Sequence, residues 1–390
     1  MFLNRHMNVG LIGVGRCGLP IALCFEQKGY NVIASSYKEQ YVENLQNKKT
    51  NTTEPHVKDL LKKSNILFTT NNQQVIDQSD VIYIIVATPS LPSGDYDMQA
   101  IDNVVADLKA YKGSLKDKLC IIASTTNPGY CQTVSDSLKT YDCDVVYCPI
   151  YVAQGSVYEN FSNQDHVMVG TDSKQAFAKA KNFFERIVQH KDQIFDLSYT
   201  GTEIVKMALN CFSTLKISFA NMMGQLLYKS GSWKDKDAFY NLMKMNPNVG
   251  KRLIDFGFGY GGPCLPRDNR SLVKFAKKVG YNYELGNMVD QFNDQHVNFL
   301  YELYTKDNKQ LLPFYFSYVS YKHGTDLDEP AQQYDLAEMF CKNKYKVYVE
   351  PSEFLNEKVY QRLKTKFPDY IEKQSIAELD NNNIKYYKVN

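Results

Sequence analysis

One short stretch of the chain combines a thiol and a carboxylate in an unusual backbone. Residues 256–268 read FGFGYGGPCLPRD, in which glycines and two prolines surround Cys264 and Asp268 follows four residues later. A cysteine that only fills a core needs no such turn-forming backbone, whereas a nucleophile that a substrate must approach closely does. The pattern makes Cys264 a candidate nucleophile.

A second candidate site is a glycine-rich turn near the N-terminus. Gly13, Gly15 and Gly18 match the pattern G-x-G-x-x-G, and they lie between the apolar run at residues 9–12 and a helical pattern. Such glycines permit a tight turn and let backbone N–H groups approach a pyrophosphate at the start of a helix, where the helix dipole favours anions. The motif and its position predict a dinucleotide-binding turn.

The residues after the second predicted strand bear on which dinucleotide is bound. An NAD-binding motif usually has an acidic residue about twenty residues after the glycines, which binds the ribose 2′-hydroxyl. Here Ser36 and Lys38 occupy this region. A hydroxyl followed by a lysine suits the 2′-phosphate of NADP, and Ser36 in place of the acid is equally compatible with NAD. We therefore expect NAD as the cofactor, with NADP as an open alternative.

Two polar residues on a predicted long helix form a third candidate site. Lys206 and Asn210 are four residues apart, which places them one turn apart on the same helix face. A cation and an amide at this spacing could stabilise an oxyanion or position an alcohol for hydride removal. The alternative is a solvated lysine beside an incidental asparagine, and spacing alone favours that alternative.

Composition argues against several classes of partner and site. The 390 residues include 45 Lys and Arg against 43 Asp and Glu, so the net charge of +2 gives no electrostatic reason to expect nucleic acid or an anionic membrane. The nine cysteines include no CxxC pair or Cys/His cluster, so neither a metal site nor a disulfide framework is indicated. With no signal-peptide pattern and no apolar run of membrane-spanning length, we expect a cytoplasmic protein.

The apolar patterns predict an α/β fold at both ends of the chain and helices between them. Over the first 200 residues strand patterns alternate with helical ones, which favours a parallel, doubly wound sheet. The predicted strands in this part are 9–12, 31–34, 66–69, 81–87, 119–124, 145–147 and 166–169. Helical patterns follow at 202–229, 270–279 and 285–304, and a smaller β/α pattern ends in a tail with one further short strand.

Seven segments, in this order, resemble those of the UDP-glucose/GDP-mannose dehydrogenase family over nearly the whole chain. Besides the glycine turn they are ATPSLPSGDYD (87–97), ASTTNPG (123–129), YCPIYVAQG (147–155), VKMALNCF (205–212), FGYGGPCLPRD (258–268) and SYKHGTD (320–326). The segment around Cys264 is the most specific of them.

The resemblance implies an α/β fold in three parts. Residues 1–200 would form an N-terminal Rossmann domain that binds the dinucleotide. Residues 201–300 would form a central long-helix region that makes a homodimer and carries the catalytic cysteine. Residues 301–390 would form a smaller Rossmann-like α/β domain that binds the nucleotide sugar.

The resemblance also implies an activity, the four-electron oxidation of the C6 alcohol of a nucleotide sugar to a carboxylate. Two nicotinamide cofactors would be used in turn, and the substrate would be UDP-glucose or a UDP-N-acetylhexosamine. Cys264 would attack the C6 aldehyde and carry a thiohemiacetal and then a thioester, with Asp268 assisting proton transfer. Lys206 and Asn210 would hold the C6 oxygen, and Thr125 would lie near the nicotinamide and the reactive water.

By the same resemblance, further residues would line the two binding sites. Those that bind the cofactor would be Gly13, Gly15, Gly18, Ser36, Lys38, Thr88, Pro89, Ser124 and Arg267. Those that bind the UDP-sugar would be Tyr151, Val152, Lys206, Asn210, Gly261, Gly262 and Lys322.

Four positions depart from the family pattern. The family reads PEFLxEG where this chain has PIYVAQG, so Ile150 and Gln154 replace two glutamates, one of which serves the hydrolytic water. Asn248 and Glu329 stand where arginines are expected. Because isoleucine cannot accept a proton, we expect hydride transfer and covalent capture to proceed while hydrolysis of the thioester is slow.

Two other functions stay open on the sequence. A two-electron β-hydroxyacid dehydrogenase also uses a Rossmann domain and a helix with Lys-x-x-x-Asn, but it needs no thiol nucleophile. A degenerate relative that binds a nucleotide sugar or a cofactor without turnover would fit the four altered positions. Retention of Cys264, Lys206, Asn210 and Asp268 together argues against that second alternative.

Overall fold

A computed structural model describes residues 7–322, 331–351 and 357–389. The chain divides into two compact units, Met1–Lys206 and Met207–Asn390. One helix, Tyr199–Lys229, contributes to both units. Within the described ranges, every helix is too short or too polar to cross a membrane.

An eight-stranded sheet forms the centre of the first unit. Its strands are β1 (Asn8–Ile12), β2 (Asn31–Ser35), β3 (Leu67–Thr69), β4 (Val81–Ile84), β5 (Leu119–Ile122), β6 (Asp144–Tyr147), β7 (Val167–Gly170) and β8 (Ile194–Leu197). They lie in the order β3-β2-β1-β4-β5-β6-β7-β8, and all neighbours are parallel except β6 and β7. The strand order reverses between β1 and β4, and in such sheets a ligand binds at this switch point, beyond the carboxyl ends of the strands.

Helices accompany these strands along the chain. They are α1 (Gly18–Gln27), α2 (Glu39–Gln46), α3 (Val57–Lys63), α4 (Asn72–Asp77), α5 (Gln99–Ala110), α6 (Tyr130–Leu138), α7 (Val157–Ser162), α8 (Lys174–Phe184) and the first part of α9 (Tyr199–Lys229). The central strands β4 and β5 are buried at every residue, which is why they read as continuous apolar runs. On α1, Phe25 packs edge-on against Tyr83 of β4 and Phe161 of α7, with ring centroids 5.1 and 5.4 Å away.

The second unit joins long helices to a small parallel sheet. After α9 come α10 (Lys236–Met245), α11 (Leu265–Lys278), α12 (Glu284–Asp307), β9 (Phe314–Phe316), α13 (Gln332–Lys342), β10 (Val347–Val349), α14 (Glu357–Lys366), β11 (Ile371–Lys373), α15 (Ile376–Asn381) and β12 (Tyr387–Val389). The strand order is β11-β10-β9-β12, with every pair parallel. Phe340 of α13 stacks on Phe314 of β9 with ring centroids 3.6 Å apart, inside the apolar core of this sheet.

The α/β class, the large sheet, the long helix and the second, smaller sheet confirm the predicted fold, while several details differ. The strand predicted at 81–87 ends at Ile84, because the backbone of Val86 bonds to the side chain of Ser124. Helix α11 starts at Leu265 rather than at residue 270, with Pro266 in its first turn, where the missing N–H costs nothing.

The sheets also differ in detail from the prediction. The first sheet is not wholly parallel, since β7 runs antiparallel to β6. The sequence analysis misses β8, an edge strand whose Phe195 and Asp196 are exposed, so its pattern lacks a buried run. The tail, residues 377–390, holds the predicted short strand as β12, after the end of α15. Helix α14 and strand β11, which precede the tail, are not predicted from the sequence.

Candidate active site

The glycine turn joins β1 to α1 at the switch point of the first sheet. Gly13 has a φ of 108°, and a Cβ there would collide with the carbonyl of Ile85. A Cβ at Gly18 would collide with the carbonyl of Gly13, so packing of the protein itself requires both glycines. At Gly15 the nearest protein atom to such a Cβ is 3.9 Å away. This open space suits a pyrophosphate lying against the backbone at the start of α1.

The turn after β2 lies beside the glycine turn. The N–H groups of Gly13 and Val14 both donate to the carbonyl of Ser35, at 3.0 and 2.8 Å. The next residue, Ser36, is half-buried, and Lys38 is exposed. One predicted cofactor-binding residue, Ser36, therefore directly follows the residue that is bonded to the glycine turn, and Lys38 lies two residues further along the chain.

Ser124 joins two loops that are predicted to contact the cofactor. Its hydroxyl accepts from the N–H of Val86 and donates to the carbonyl of Val86, both at 2.8 Å. Thr88 is buried, Pro89 is exposed, and Thr125 is half-buried directly after Ser124. The hydroxyl of Ser124 holds the end of β5 to the end of β4, and its contact with a cofactor stays a prediction.

A buried carboxylate that the sequence analysis misses anchors the loop after β5. Glu203, on α9, is fully buried and accepts from the Thr126 hydroxyl at 2.9 Å. It also accepts from the N–H groups of Gly129 and Cys131, at 2.6 and 2.9 Å. Burial raises the pKa of Glu203, and these donors act in the opposite direction. The carboxylate thereby ties this loop to the helix that carries Lys206.

Lys206 is not a solvated surface lysine. Its side chain is buried, and its Nζ lies 4.8 Å from the ring centroid of Tyr151, a cation–π arrangement. Gln154, three residues after that tyrosine, is half-buried. The structure therefore brings together two residues that were both predicted to bind the substrate, Lys206 and Tyr151.

Residues 149–155, which contain the altered positions Ile150 and Gln154, are held by apolar packing and by a carboxylate that is distant in sequence. Ile150 and Val152 pack against the core of the first unit. Glu54 accepts from the N–H groups of Gly155 and Val157, at 2.5 and 3.0 Å, and so holds the start of α7. A carboxylate does reach this segment, but it comes from residue 54 and binds backbone.

In the second unit, Asn210 and Asp268 are joined directly. The side-chain amide of Asn210 donates to Oδ2 of Asp268 at 2.6 Å, and Nε of Arg267 donates to Oδ1 at 3.1 Å. Asp268 is fully buried, and its N–H donates to the carbonyl of Cys264 at 2.8 Å in the first turn of α11. Asn210, Arg267 and Asp268 thus form one cluster, a helical turn from Cys264.

Cys264 differs from the other cysteines in exposure and position. It is exposed and directly precedes α11, whereas seven of the others are buried and Cys17 is intermediate. Cys211 also lies close to Asp268, with Sγ 3.6 Å from its carbonyl oxygen, but burial raises the pKa of Cys211 to about 12. A helix N-terminus stabilises the negative charge of a thiolate, which is the nucleophilic form. Among the nine cysteines Cys264 is thus the exposed one, and its role as the nucleophile stays a prediction.

Buried amides hold the glycine-rich segment before Cys264. Three N–H groups of the segment donate to them: Gly257 to Asn221 at 2.9 Å, Gly259 to Gln332 at 2.7 Å and Tyr260 to Asn293 at 2.9 Å. The amide of Asn293 also donates to the carbonyl of Tyr260 at 3.0 Å. The segment is therefore fixed in place, and its glycines do not make it mobile.

Close packing explains two of the glycines in this segment. A Cβ at Gly259 would collide with the amides of Asn293 and Gln332. Gly262 has a φ of 78°, and a Cβ there would meet the Tyr321 ring at 2.6 Å. Gly261, between them, is half-buried. Contacts within the protein, and not room for a substrate alone, account for Gly259 and Gly262.

A buried histidine supports the same segment. His296 is fully buried beside Phe292 and Phe299, with its Nε2 2.8 Å from the carbonyl of Gly257 and its Nδ1 2.9 Å from the amide nitrogen of Gln225. Burial lowers the pKa of His296 to about 4. These partners require a neutral ring that donates from Nε2 and accepts at Nδ1.

Three predicted positions remain. Lys322 is exposed and directly follows Tyr321, the residue whose ring lies against Gly262. Asn248 is exposed in a turn, where its N–H donates to Oδ1 of Asn246 at 2.9 Å. Glu329 lies outside the described residues.

Comparison with known families agrees with this arrangement. Residues 7–188 match the NAD binding domain of the UDP-glucose/GDP-mannose dehydrogenase family, and residues 200–295 match its central domain. The chain belongs to the UDP-glucose/GDP-mannose dehydrogenase family. The glycine turn, with its open space at Gly15, lies in the NAD binding domain of this family, which confirms NAD as the expected cofactor.

Relatives in the family are distant in sequence. The chain is 26% identical to the UDP-glucose 6-dehydrogenase TuaD of Bacillus subtilis over 307 residues, which are 76% of this chain and 65% of the relative. It is also 26% identical to a UDP-glucose 6-dehydrogenase of Pseudomonas aeruginosa over 310 residues, 76% of this chain and 67% of the relative. The matches thus span about two thirds of these relatives' length.

Solved structures share the fold at lower identity. A UDP-glucose dehydrogenase of Pyrobaculum islandicum has a TM-score of 0.82 and 18% identity, covering 100% of this chain and 91% of its own. A UDP-D-ManNAc dehydrogenase of Pyrococcus horikoshii has a TM-score of 0.76 and 20% identity, covering 98% of this chain and 99% of its own. Both support the fold of this family member.

We expect the substitution Glu203→Ala to lower the free energy of unfolding by about 3 kcal/mol or more, because two buried donors and one half-buried donor lose their acceptor. Urea denaturation followed by circular dichroism measures this loss. Glu39→Ala, at an exposed position, is the control and should change the value by less than about 0.5 kcal/mol. A loss below about 1 kcal/mol for Glu203→Ala would show that the carboxylate does not anchor the loop.

We expect His296 to make the second unit less stable in acid. The pKa of His296 is lower in the folded chain than in the unfolded one. Its contribution to the free energy of unfolding is therefore fully present above pH about 6.5 and is lost as the pH falls towards about 4. From pH 7 to pH 4.5, protonation of this group should lower the free energy of unfolding by about 2–3 kcal/mol. Urea midpoints can be followed by the fluorescence of Trp233, whose ring centroid lies 5.1 Å from that of Phe256.

The matched variants are His296→Gln and His190→Gln, the second at an exposed position. The first should flatten the dependence of stability on pH, and the second should leave it as in the unaltered chain. An equal slope in all three proteins would mean that His296 is not buried in its neutral form.

Proposed function

We propose that this chain is a nucleotide-sugar 6-dehydrogenase, which oxidises the C6 alcohol of a UDP-sugar to a carboxylate. The observation that carries the proposal is the exposed thiol of Cys264 at the start of α11, one turn before the buried Asp268, which accepts from the half-buried Asn210. A two-electron alcohol dehydrogenase has no use for such a thiol, whereas an aldehyde must be captured covalently before a second hydride can leave. UDP-glucose is the first substrate to test, and a UDP-N-acetylhexosamine is the second.

Each predicted catalytic residue has a role in the two proposed oxidations. The nicotinamide, when bound, accepts one hydride in each oxidation. The charge of Lys206 and the amide of Asn210 hold the C6 oxygen as it becomes negative. The sulfur of Cys264 adds to the aldehyde carbon while the thiol proton moves, with the help of Asp268, to the aldehyde oxygen, which gives a thiohemiacetal. Loss of a second hydride from that carbon to the nicotinamide, and of the hydroxyl proton to solvent, leaves a thioester.

Hydrolysis completes the proposed reaction. Water adds to the thioester carbon, the carbon–sulfur bond breaks, and the carboxylate and the free thiol are released. A carboxylate near this water would accept its proton, but Ile150 is apolar and packs against the core. Thr125, half-buried after β5, is the remaining predicted residue near the water. We therefore propose that release from Cys264 limits turnover.

We also propose that the family member works as a homodimer in which residues 1–200 bind the dinucleotide, 201–300 associate and 301–390 bind the nucleotide sugar. In support, large apolar side chains on α9 are exposed: Leu209, Phe212, Phe219 and Leu226, the last two of which are 41% and 60% exposed. Apolar surface repeated along a helix at this scale is typical of protein–protein contact. The cytoplasm is the proposed location.

A substrate screen tests the proposed activity. Absorbance of the reduced nicotinamide is followed with UDP-glucose, UDP-GlcNAc, UDP-GalNAc and GDP-mannose in turn, each with NAD and NADP. We expect reduction with at least one UDP-sugar, and two reduced cofactors for each sugar oxidised. Cys264→Ser should lower turnover by about 1,000-fold or more. Full activity in this variant would favour the two-electron alternative, and no reduction with any pair would favour the binding-only one.

A rapid-mixing experiment tests whether release from Cys264 is slow. We expect reduced nicotinamide to appear in a burst and a sugar adduct on Cys264 to be detectable by mass spectrometry of the quenched protein. Ile150→Glu restores a carboxylate and should raise the steady-state rate by about tenfold or more. Ile150→Gln is the matched control, polar and of similar size but unable to accept a proton at neutral pH.

Two results would contradict slow release. One is steady production of the carboxylate with no adduct on Cys264. The other is an equal effect of Ile150→Glu and Ile150→Gln, since the carboxylate would then have no special role. Circular dichroism of both variants shows whether loss of the apolar contact has disturbed the fold.

A further inference from the structure

We propose that the turn after β2 lets this chain bind NADP at least as tightly as NAD. The inference rests on the proposed function, because it concerns the dinucleotide site of the same enzyme. It depends on three residues in this turn: Ser36, Tyr37 and Lys38.

The position of Ser36 is fixed by backbone hydrogen bonds. Strand β2 pairs with β1 up to Ile12 and Ser35, so the residue that follows lies beside the glycine turn. The N–H of Ser36 donates to the carbonyl of Thr69, at the end of β3, at 3.1 Å. Ser36 therefore occupies the place from which an acidic residue would reach the adenosine ribose.

Ser35 cannot take this role, because its side chain is already used inside the protein. It is buried, and its hydroxyl donates to Oδ1 of Asn72 at 2.7 Å. The hydroxyl of Ser36 instead accepts from the N–H of Lys38 at 3.4 Å, which leaves its own O–H as a donor. A donor at this place suits a phosphate oxygen.

Charge in the turn favours a phosphate as well. An acid at this position accepts a hydrogen bond from the 2′-hydroxyl of NAD and repels the 2′-phosphate of NADP. Ser36 has no charge to repel it. The cation of Lys38 is exposed, with its Nζ 5.6 Å from the ring centroid of Tyr37, which is 85% exposed. A lysine and a hydroxyl together are a common environment for a phosphate.

The acidic groups next to this turn are Glu39 and Glu43. Glu39 is the exposed first residue of α2, and Glu43 accepts from the side chain of Gln40 at 2.9 Å. Glu39, one residue after Lys38, is the acidic residue nearest in sequence to the missing acid at position 36. If its carboxylate replaced that acid at the ribose, NAD would be preferred, and the substitution Glu39→Gln would weaken binding of NAD.

Calorimetric titration of the purified full chain tests the inference without measuring turnover. The ligands are NAD, NADP, 5′-AMP and adenosine 2′,5′-bisphosphate. We expect a Kd for NADP equal to or below that for NAD, and tighter binding of the bisphosphate than of AMP. Lys38→Glu should lower the ratio Kd(NAD)/Kd(NADP) by about tenfold, and Ser36→Asp should lower it further. Lys191→Glu, an exposed substitution before β8 at the opposite edge of the sheet, should leave the ratio unchanged.

Three outcomes would overturn the inference. The first is a Kd for NADP at least ten times that for NAD in the unaltered chain. The second is a ratio that Lys38→Glu and Lys191→Glu change equally. The third is weaker NAD binding in Glu39→Gln with NADP binding unaffected. If neither dinucleotide binds, the proposed function and this inference both fail. If NAD binds and NADP does not, only the inference fails, so the two failures can be told apart.

Discussion

The hydrogen bonds that the backbone ahead of Cys264 donates to buried amide side chains are the constraint on which the proposed chemistry depends. A glycine-rich segment loses more conformational entropy on ordering than any other sequence, so it stays ordered only if its polar groups find fixed partners. Asn221, Asn293 and Gln332 provide those partners, and each comes from a different helix. The thiol at the end of this segment is thus placed by side chains distant in sequence.

The first unit fixes its loops in a related way, with carboxylates in place of amides. Glu203 accepts from the loop between β5 and α6, and Glu54 accepts from the start of α7. In both cases the acceptor binds N–H groups at the beginning of a helix, where partial positive charge favours an anion. The strands and helices of the unit are ordinary, and these acceptors determine where the loops between them lie.

The fold and the glycine turn could be predicted from the sequence because they leave local patterns. The glycine turn follows a strand and opens a helix, and the spacing of Lys206 and Asn210 puts both on one helix face. That spacing alone favours a solvated lysine, whereas the side chain of Lys206 is buried. Glu203 leaves no such signal except as an acidic residue in the buried register of α9, between Thr202 and Met207. Its partners are set by tertiary packing, which no local pattern encodes.

The same limit explains why the glycines around Cys264 are easily misread. Composition alone predicts backbone cleared for the approach of a substrate, whereas collisions at Gly259 and Gly262 show that neighbouring side chains fill the space a Cβ would need. Those neighbours are distant in sequence: Asn293 lies 34 residues after Gly259, and Gln332 lies 73 residues after it. Sequence reasoning over short windows cannot detect them.

The contact between Gln332 and Gly259 also has a consequence for synthesis of the chain. Gln332 is the first residue of α13, and it leaves the ribosome well after Cys264. Until then the segment ahead of the thiol lacks one of its three acceptors, and α11 alone cannot hold it. A nascent or truncated chain that ends before α13 therefore carries the cysteine without its finished surroundings. Translation order itself delays completion of the surroundings of Cys264 until α13 has been made.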